Sequence, residues 1–150
     1  MMMDQPENIA IKRYLDFLSN LTPVSLARLD EVVHPSIVFS DPFHTIHGIE
    51  AMRGVYRTMF KRFVVRYFEV VRMARAGDDA WLIRWKLGVT GLNDNRDLDI
   101  EGMADIGLAG DGKVNRHEDF WDSMSGLYVH IPVLGKALRL LHQQAANMQK

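Results

Sequence analysis

Four β-rich runs separated by three short turns fill the second half of this sequence, and they constrain its fold more than any other feature. The predicted strands are Val64 to Ala74, Ala80 to Val89, Asp97 to Leu108 and Lys113 to Trp121. The segments between them are rich in the glycine, asparagine and aspartate typical of turns: Gly77 to Asp79, Gly91 to Asn95 and Gly110 to Gly112. Consecutive strands joined by such short turns predict an antiparallel meander.

Helical spacing dominates the first half of the chain. One apolar stripe begins at Ile11 and ends near Ser19-Asn20, and a second helix is expected after the cap-like pair Thr22-Pro23. Pro35 should end that helix, and a short strand from Ser36 to Ser40 follows it.

A third helix is expected after Gly48, with the clearest apolar stripe of the chain. A fourth helix is expected from Pro132 onward, with its stripe at Leu134, Leu138, Leu141, Ala145 and Met148. Helices on one side of a curved antiparallel sheet define an α+β domain. We therefore expect one domain over residues 1–150, with three N-terminal helices and a C-terminal helical extension over 124–150.

Composition excludes several classes of protein. The chain has 150 residues, a net charge of −1, 47% apolar residues and no cysteine. Disulfides and thiolate metal sites are therefore impossible, and we expect no nucleic-acid or membrane partner. The N-terminus lacks the pattern of a signal peptide, no apolar run is long enough to span a bilayer, and no metal-binding spacing is present, so we expect a cytoplasmic protein without a metal.

One segment resembles a known family. Asp41-Pro42-Phe43, followed by His47-Gly48, Glu50 and Tyr56-Arg57, is similar to the ketosteroid isomerase pattern and to SnoaL-like proteins. Further matching residues are Tyr14, Asp105, the turn Gly112-Lys113-Val114 and Trp121. The resemblance covers roughly residues 8 to 122 and implies the nuclear transport factor 2-like superfamily. Its members have a cone-shaped curved sheet wrapped around three helices and need no cofactor.

The resemblance also implies catalytic roles. Asp41 would take a proton from a carbon next to a carbonyl, while Tyr14 and a protonated Asp105 would donate hydrogen bonds to the enolate. Tyr56 would support Tyr14, but Val33 stands where a third tyrosine of that network is expected. The implied ligand is a small apolar carbonyl compound. A homodimer through the sheet is also expected.

Alternation along the strands predicts which side chains share a cavity with these residues. If Trp121 faces inward, then Asp119 and His117 do so as well, because residues of like parity share one face of a strand. His117 is thus a further catalytic candidate. The expected substrate-binding residues are Tyr56, Phe60, Trp81, Trp85, Met103, Asp119 and Trp121. Such a mostly apolar pocket with a few polar groups is typical of a small-molecule site.

Several alternatives remain open from the sequence. Asp97, Asp99 and Glu101 share the parity of Asp105, which is the pattern of a solvent-facing row. A non-catalytic ligand-binding domain is the main competing function. A scytalone-type dehydratase would use His117. A limonene-type epoxide hydrolase ranks lower, because it needs a cavity arginine between acids and both Arg84 and Arg116 have the outward parity.

Overall fold

A six-stranded curved sheet is the centre of the computed structural model, which describes residues 6–126 and 132–147. The helices are α1 (Pro6–Ser19), a 3-10 helix (Ser25–Glu31), α2 (Ile49–Arg62), α3 (Ser123–Gly126) and α4 (Pro132–Asn147). The strands are β1 (Val33–Ser40), β2 (Thr45–His47), β3 (Phe63–Arg75), β4 (Ala80–Gly91), β5 (Asp97–Leu108) and β6 (Val114–Trp121). Their spatial order is β2-β1-β6-β5-β4-β3.

The predicted meander is confirmed. Strands β3 to β6 pair antiparallel in chain order, and the largest difference in their bounds is at the end of β4, which reaches Gly91 instead of Val89. The pairing of β3 with β4 shifts register twice, between Val65 and Tyr67 and between Val70 and Arg72. Such bulges increase twist and bend a sheet, which helps this one to curve around the helices.

The first half differs from the prediction at three places, of which one is the unpredicted short strand β2, which pairs antiparallel with β1. The expected second helix is a 3-10 helix of seven residues, because β1 begins almost directly after it and short connecting pieces favour this tighter form. Strand β1 begins at Val33 rather than Ser36 and includes Pro35. It can do so because the pairing of β1 with β6 is irregular between Val33 and Val38, where a proline without an N–H costs no ladder hydrogen bond.

Helices α1 and α2 and the 3-10 helix pack against the sheet and form the core with it. On β4, Trp81, Ile83 and Trp85 are at most 5% exposed, whereas Leu82 is 40% exposed. The alternation predicted for this strand is thus confirmed. Helix α1 contributes Ile11 to the same core, with no exposed surface.

The C-terminal region contains the predicted helix, although Met148 lies outside the described residues. The described side chains of α4 are exposed, and none of them lines the large cavity discussed below. Whether this helix covers the cavity or a partner therefore stays a prediction. Within the described residues, no helix combines the length and apolar character needed to cross a bilayer.

Replacing Ile83 tests the assignment of the inner face. Ile83→Ala removes three carbons from a fully buried site, so we expect the free energy of unfolding to fall by about 3 kcal/mol in urea titrations. Leu92→Ala removes the same number of carbons at a site that is 50% exposed, and we expect less than about 1 kcal/mol there. Equal losses would contradict the assignment.

Candidate active site

A large cavity lies between the inner face of the sheet and α2. Its volume is about 860 Å³, which is ample for a small organic ligand. Most of its wall is aromatic or aliphatic, with Phe39, Phe43, Phe60, Phe68, Trp85, Leu87, Ile100 and Trp121 among the lining residues. Polar side chains interrupt this wall at a few places, and the only carboxylates among the described lining residues are Asp41 and Asp119.

The two acids are neighbours because β1 and β6 run parallel. Phe39 pairs with His117 and Ser40 pairs with Glu118, so one further step places Asp41 beside Asp119. Both acids also line a second, smaller cavity at the rim. Their side chains are 13% and 16% exposed, respectively, so neither is bathed in bulk water.

Asp41 also has a structural role in the turn that follows β1. Its Oδ1 atom accepts hydrogen bonds from the backbone N–H groups of Phe43 and His44, at 2.8 and 2.7 Å. The ring nitrogen Nδ1 of His44 lies 3.1 Å from the same oxygen and 3.3 Å from Oδ2. The carboxylate is therefore held in one orientation at the cavity wall, with Oδ2 less engaged than Oδ1.

Asp119 lies among the other polar groups of the cavity. Its Oδ1 accepts a hydrogen bond from the Trp85 indole at 3.1 Å and lies 3.0 Å from Nε2 of His117. Nε2 has no partner with hydrogen-bond geometry among the described atoms, so its contact with Asp119 is electrostatic rather than a linear hydrogen bond. His117 is only 4% exposed, and its ring packs 5.3 Å from that of Phe39.

Two tyrosines extend this polar cluster, Tyr56 in the cavity wall and Tyr14 behind it. The hydroxyl of Tyr14 lies 2.6 Å from Nδ1 of His117. Burial raises the pKa of Tyr14 well above its ordinary value, helped by the charges of Tyr56 and Asp119. Burial, and then the charge of Asp119, likewise raise the pKa of Tyr56. Both hydroxyls therefore stay protonated at physiological pH.

The placement expected for Asp105 and Met103 is wrong. Ala104 and Ile106 point inward and are each 1% exposed, so Met103 and Asp105 lie on the outer face of β5. Asp105 forms an ion pair there with Arg116, at 2.7 Å. Asp97, Asp99 and Glu101, which share the parity of Asp105, therefore form a row on the outer face with it. This row is one of the alternatives that the sequence allowed.

The other predicted residues divide into two groups. Asp41, Tyr56, Phe60, Trp85, His117, Asp119 and Trp121 line the cavity. Tyr14 is fully buried behind the wall, and Trp81 is packed in the core, so neither lines the cavity as expected. The catalytic and binding roles of all these residues stay predictions.

Sequence reasoning missed the contact between Asp41 and His44. The signal was present in the spacing, since an aspartate in a turn often binds the backbone two and three residues later. It also missed the parallel pairing of β1 and β6, which no local pattern encodes. Within the described residues, no group of three or more histidine or acidic side chains could hold a metal ion.

Comparison with solved structures defines the class of fold. An NTF2-like protein of unknown function from Exiguobacterium sp. 255-15 aligns with a TM-score of 0.66 at 19% identity, over 75% of this chain and 98% of its own. An LEH-like epoxide hydrolase from M. tuberculosis aligns with 0.65 at 16% identity, over 90% and 96% of the two chains. The epoxide hydrolase/cyclase-like enzyme SalBIII, which acts in pyran ring formation in salinomycin, aligns with 0.68 at 15% identity, over 84% and 97%. The fold is therefore that of the nuclear transport factor 2-like superfamily.

The sequence narrows this class to one family. The SnoaL-like domain matches residues 11–117, well over half of the chain. The protein thus belongs to the SnoaL-like domain family, as the resemblance predicted. No protein of curated function matches the sequence.

High pH tests the buried tyrosines. The pKa values of Tyr14 and Tyr56 are raised in the native state, so above about pH 10 the unfolded chain releases protons that the native state retains. The free energy of unfolding should therefore fall by roughly 1.4 kcal/mol per pH unit for each tyrosine. Below about pH 10 this contribution is constant. Urea unfolding between pH 9.5 and 11 should show a shallower decline for Tyr14→Phe than for the wild type. Parallel declines would show that Tyr14 ionises freely in the native state.

Proposed function

We propose that this protein is an enzyme that moves a proton at the carbon next to the carbonyl group of a small, largely apolar compound. Isomerases and cyclases of this kind need no cofactor, because the cavity supplies a base and hydrogen-bond donors. One observation carries the proposal: two carboxyl side chains, Asp41 and Asp119, directly follow the paired residues Ser40 and Glu118 and lie at the wall of a mostly apolar cavity.

Asp41 is the proposed base. Its backbone hydrogen bonds fix the carboxylate at the cavity wall, which is what a base needs in order to meet a bound carbon acid in one geometry. Tyr56, rather than Tyr14, faces the substrate oxygen, because Tyr56 lines the cavity and Tyr14 lies behind it. A tyrosine hydroxyl in an apolar cavity stabilises a developing enolate by donating a hydrogen bond.

Charge distribution supports this arrangement. Burial and then the charges of Asp119 and Asp41 raise the pKa of Tyr56, and all three side chains line the cavity. Electrostatic interactions are stronger in such a largely apolar site than in bulk water. A proton taken up by one carboxylate would remain close to the atoms that must receive it later in an isomerisation.

Replacing Asp41 in the cavity and Asp105 on the outer face, in separate variants, tests the proposal. With a β,γ-unsaturated cyclic ketone as substrate, Asp41→Asn should lower kcat by on the order of a hundredfold or more, because the base is lost. Asp105→Asn is the matched control on the outer face, where it breaks only an exposed ion pair, and its kcat should change less than about twofold. Equal losses in the two variants would contradict the role of Asp41. Ligand binding without any turnover would favour the non-catalytic alternative.

A second candidate is a dehydration reaction, which the buried His117 beside Asp119 favours, since that pair could protonate a leaving hydroxyl group. An epoxide hydrolase of the limonene type ranks lower. Arg84 and Arg116 are bound on the outer face to Glu101 and Asp105. Arg62 and Arg66 do line the cavity, but Arg66 is paired with Asp97 and Asp99 rather than with Asp41 or Asp119. Three expectations stay predictions: that the protein needs no cofactor, that it has no nucleic-acid or membrane partner, and that it is cytoplasmic.

We also propose a homodimer through the outer face of the sheet. Leu82, Met103 and Phe120 lie there on three adjacent strands and are 40%, 46% and 55% exposed. Ion pairs on either side of this row, Arg84–Glu101 and Arg116–Asp105, give it the polar rim typical of interfaces. A second copy of the chain would cover the apolar row.

The oligomeric state in solution tests this interface. Light scattering after size-exclusion chromatography should give the mass of a dimer for the wild type and of a monomer for Phe120→Asp, because the charge would be buried without a partner. Val24→Asp is the control, at a position that is 85% exposed and away from the sheet, and it should remain dimeric. A monomeric wild type would overturn the proposal.

A further inference from the structure

The cavity wall carries charged side chains of both signs. Asp41 and Asp119 supply the negative charges, and Arg62 and Arg66 also line the cavity. These two are the only arginine or lysine side chains among the described lining residues. The position of the arginines relative to the acids therefore determines which charged ligand the cavity can hold, and in which orientation.

Helix α2 crosses the sheet and separates the two kinds of charge. The helix begins beside β1, where the N–H of Gly48 donates a hydrogen bond to the carbonyl of Ile37 at 2.8 Å, and it ends at Arg62, directly before β3. In the sheet, β6, β5 and β4 lie between β1 and β3. These four strand spacings amount to about 19 Å, and the 14 residues of α2 extend over about 21 Å, so the helix spans this width.

The acids and the arginines are therefore roughly 10 Å or more apart. Asp119 lies on β6 and Arg66 on β3, three strand spacings away, which corresponds to about 14 Å. Tyr56 belongs to the acidic end, since its ring lies 6.2 Å from that of Phe39 on β1. Arg62 follows Tyr56 by one and a half to two turns of α2, or about 9 Å along the helix axis.

The wall between the two ends is apolar. Strands β4 and β5 lie between β6 and β3, and their described lining residues are all aliphatic or aromatic: Trp85, Leu87, Val89, Leu98 and Ile100. The described part of the cavity thus has an acidic end, an apolar middle and a basic end.

The two arginines differ in their partners. Arg66 lies 2.7 Å from Asp99 and 3.6 Å from Asp97, and it also donates to the carbonyl of Leu98, so its charge is largely offset. The guanidinium of Arg62 forms no ion pair with any residue in the ranges 6–126 and 132–147. Arg62 is also exposed, so an anion bound to it would keep part of its hydration. One uncompensated positive charge is therefore available at the basic end.

This distribution of charge would orient an anionic ligand. The acids repel a negative group while Arg62 attracts it, and both effects are stronger beside an apolar wall than in bulk water. A carboxylate suits a guanidinium, because its two oxygens can accept two parallel N–H hydrogen bonds. A phosphate ester carries up to two negative charges, more than one unpaired guanidinium balances.

We propose that the cavity binds an elongated apolar carboxylic acid, with its carboxylate on Arg62 and its other end beside Asp41. The inference deepens the proposed function, on which it rests for the reacting end, because it makes the substrate a keto acid. The carbonyl that Asp41 acts upon would lie roughly 10 Å from the carboxylate. Arg62 is thus a substrate-binding residue, remote from the reacting carbon, that fixes which part of the ligand reaches the base.

Two probes of the same shape test the preference for a carboxylate. 5-Phenylpentanoate and 5-phenylpentanamide differ in charge but hardly in size, and both extend far enough to reach from Arg62 into the apolar middle. Isothermal titration calorimetry at pH 7.5 should give a Kd about fivefold to tenfold lower for the carboxylate, the ratio expected for a charge-assisted hydrogen bond at a partly exposed site. Equal Kd values for the two probes would overturn the proposal.

Variants of α2 assign the preference to one residue. Arg62→Gln should reduce the ratio of the two Kd values to less than about twofold, and Arg62→Lys should retain most of it, because the charge remains. Arg57→Gln is the matched control, since Arg57 is exposed on the same helix but does not line the cavity, and it should keep the wild-type ratio. Equal losses in Arg62→Gln and Arg57→Gln would show a general charge effect and contradict the inference.

Salt gives a check that needs no variant. Because Arg62 is exposed, raising NaCl from about 20 to about 500 mM should weaken the binding of the carboxylate and leave that of the amide nearly unchanged. A carboxylate preference that is independent of salt would contradict a contact with Arg62. None of these readouts requires turnover. Carboxylate preference without isomerisation of a ketone would contradict only the proposed enzyme, whereas isomerisation of a neutral ketone without that preference would contradict only the role of Arg62.

Discussion

The parallel pairing of β1 with β6 is the constraint on which the rest of this structure depends. It brings the end of the N-terminal strand beside the last strand of the meander, although more than 70 residues separate Ser40 from its partner Glu118. Without it, β1 and β2 would be a separate hairpin, and Asp119 would stand alone on the cavity wall. The pairing also brings Phe39 onto the ring of His117, which closes the apolar surroundings of that ring. One contact between distant segments thus assembles both acids and the buried histidine.

The site combines a large apolar volume with a compact set of polar groups that bind one another. Asp119 contacts the Trp85 indole and His117, and His117 contacts Tyr14. Buried polar groups are tolerated when they are paired, and a connected set has few alternative arrangements. Such a set can present a defined hydrogen-bonding surface to a ligand while the aromatic wall provides most of the binding energy. Specific polar contacts and general apolar binding thus come from different residues, as expected for a fold that is shared by proteins with unrelated chemistries.

Local patterns predicted the strands well because alternation and turn residues are encoded within each segment, as the row Trp81, Ile83 and Trp85 shows. They also assigned His117 and Asp119 to the inner face correctly. The resemblance places Asp105 in the cavity, whereas its parity along β5 places it in the outer row with Asp97, Asp99 and Glu101, and the structure agrees with the parity. The hydrogen bond between Tyr14 and His117 joins residues 103 positions apart, and no local pattern could have predicted it.

A disulfide cross-link tests the pairing of β1 with β6 most directly, because the chain has no cysteine of its own. Paired residues on adjacent strands lie about 5 Å apart, within the Cα distance that a disulfide requires. The variant Ser40→Cys/Glu118→Cys should therefore lose two hydrogen atoms in mass on mild oxidation, and Ser40→Cys/Phe120→Cys should do so far less readily. Failure of the first pair to cross-link, or equal cross-linking of both pairs, would contradict the arrangement that places Asp41 beside Asp119.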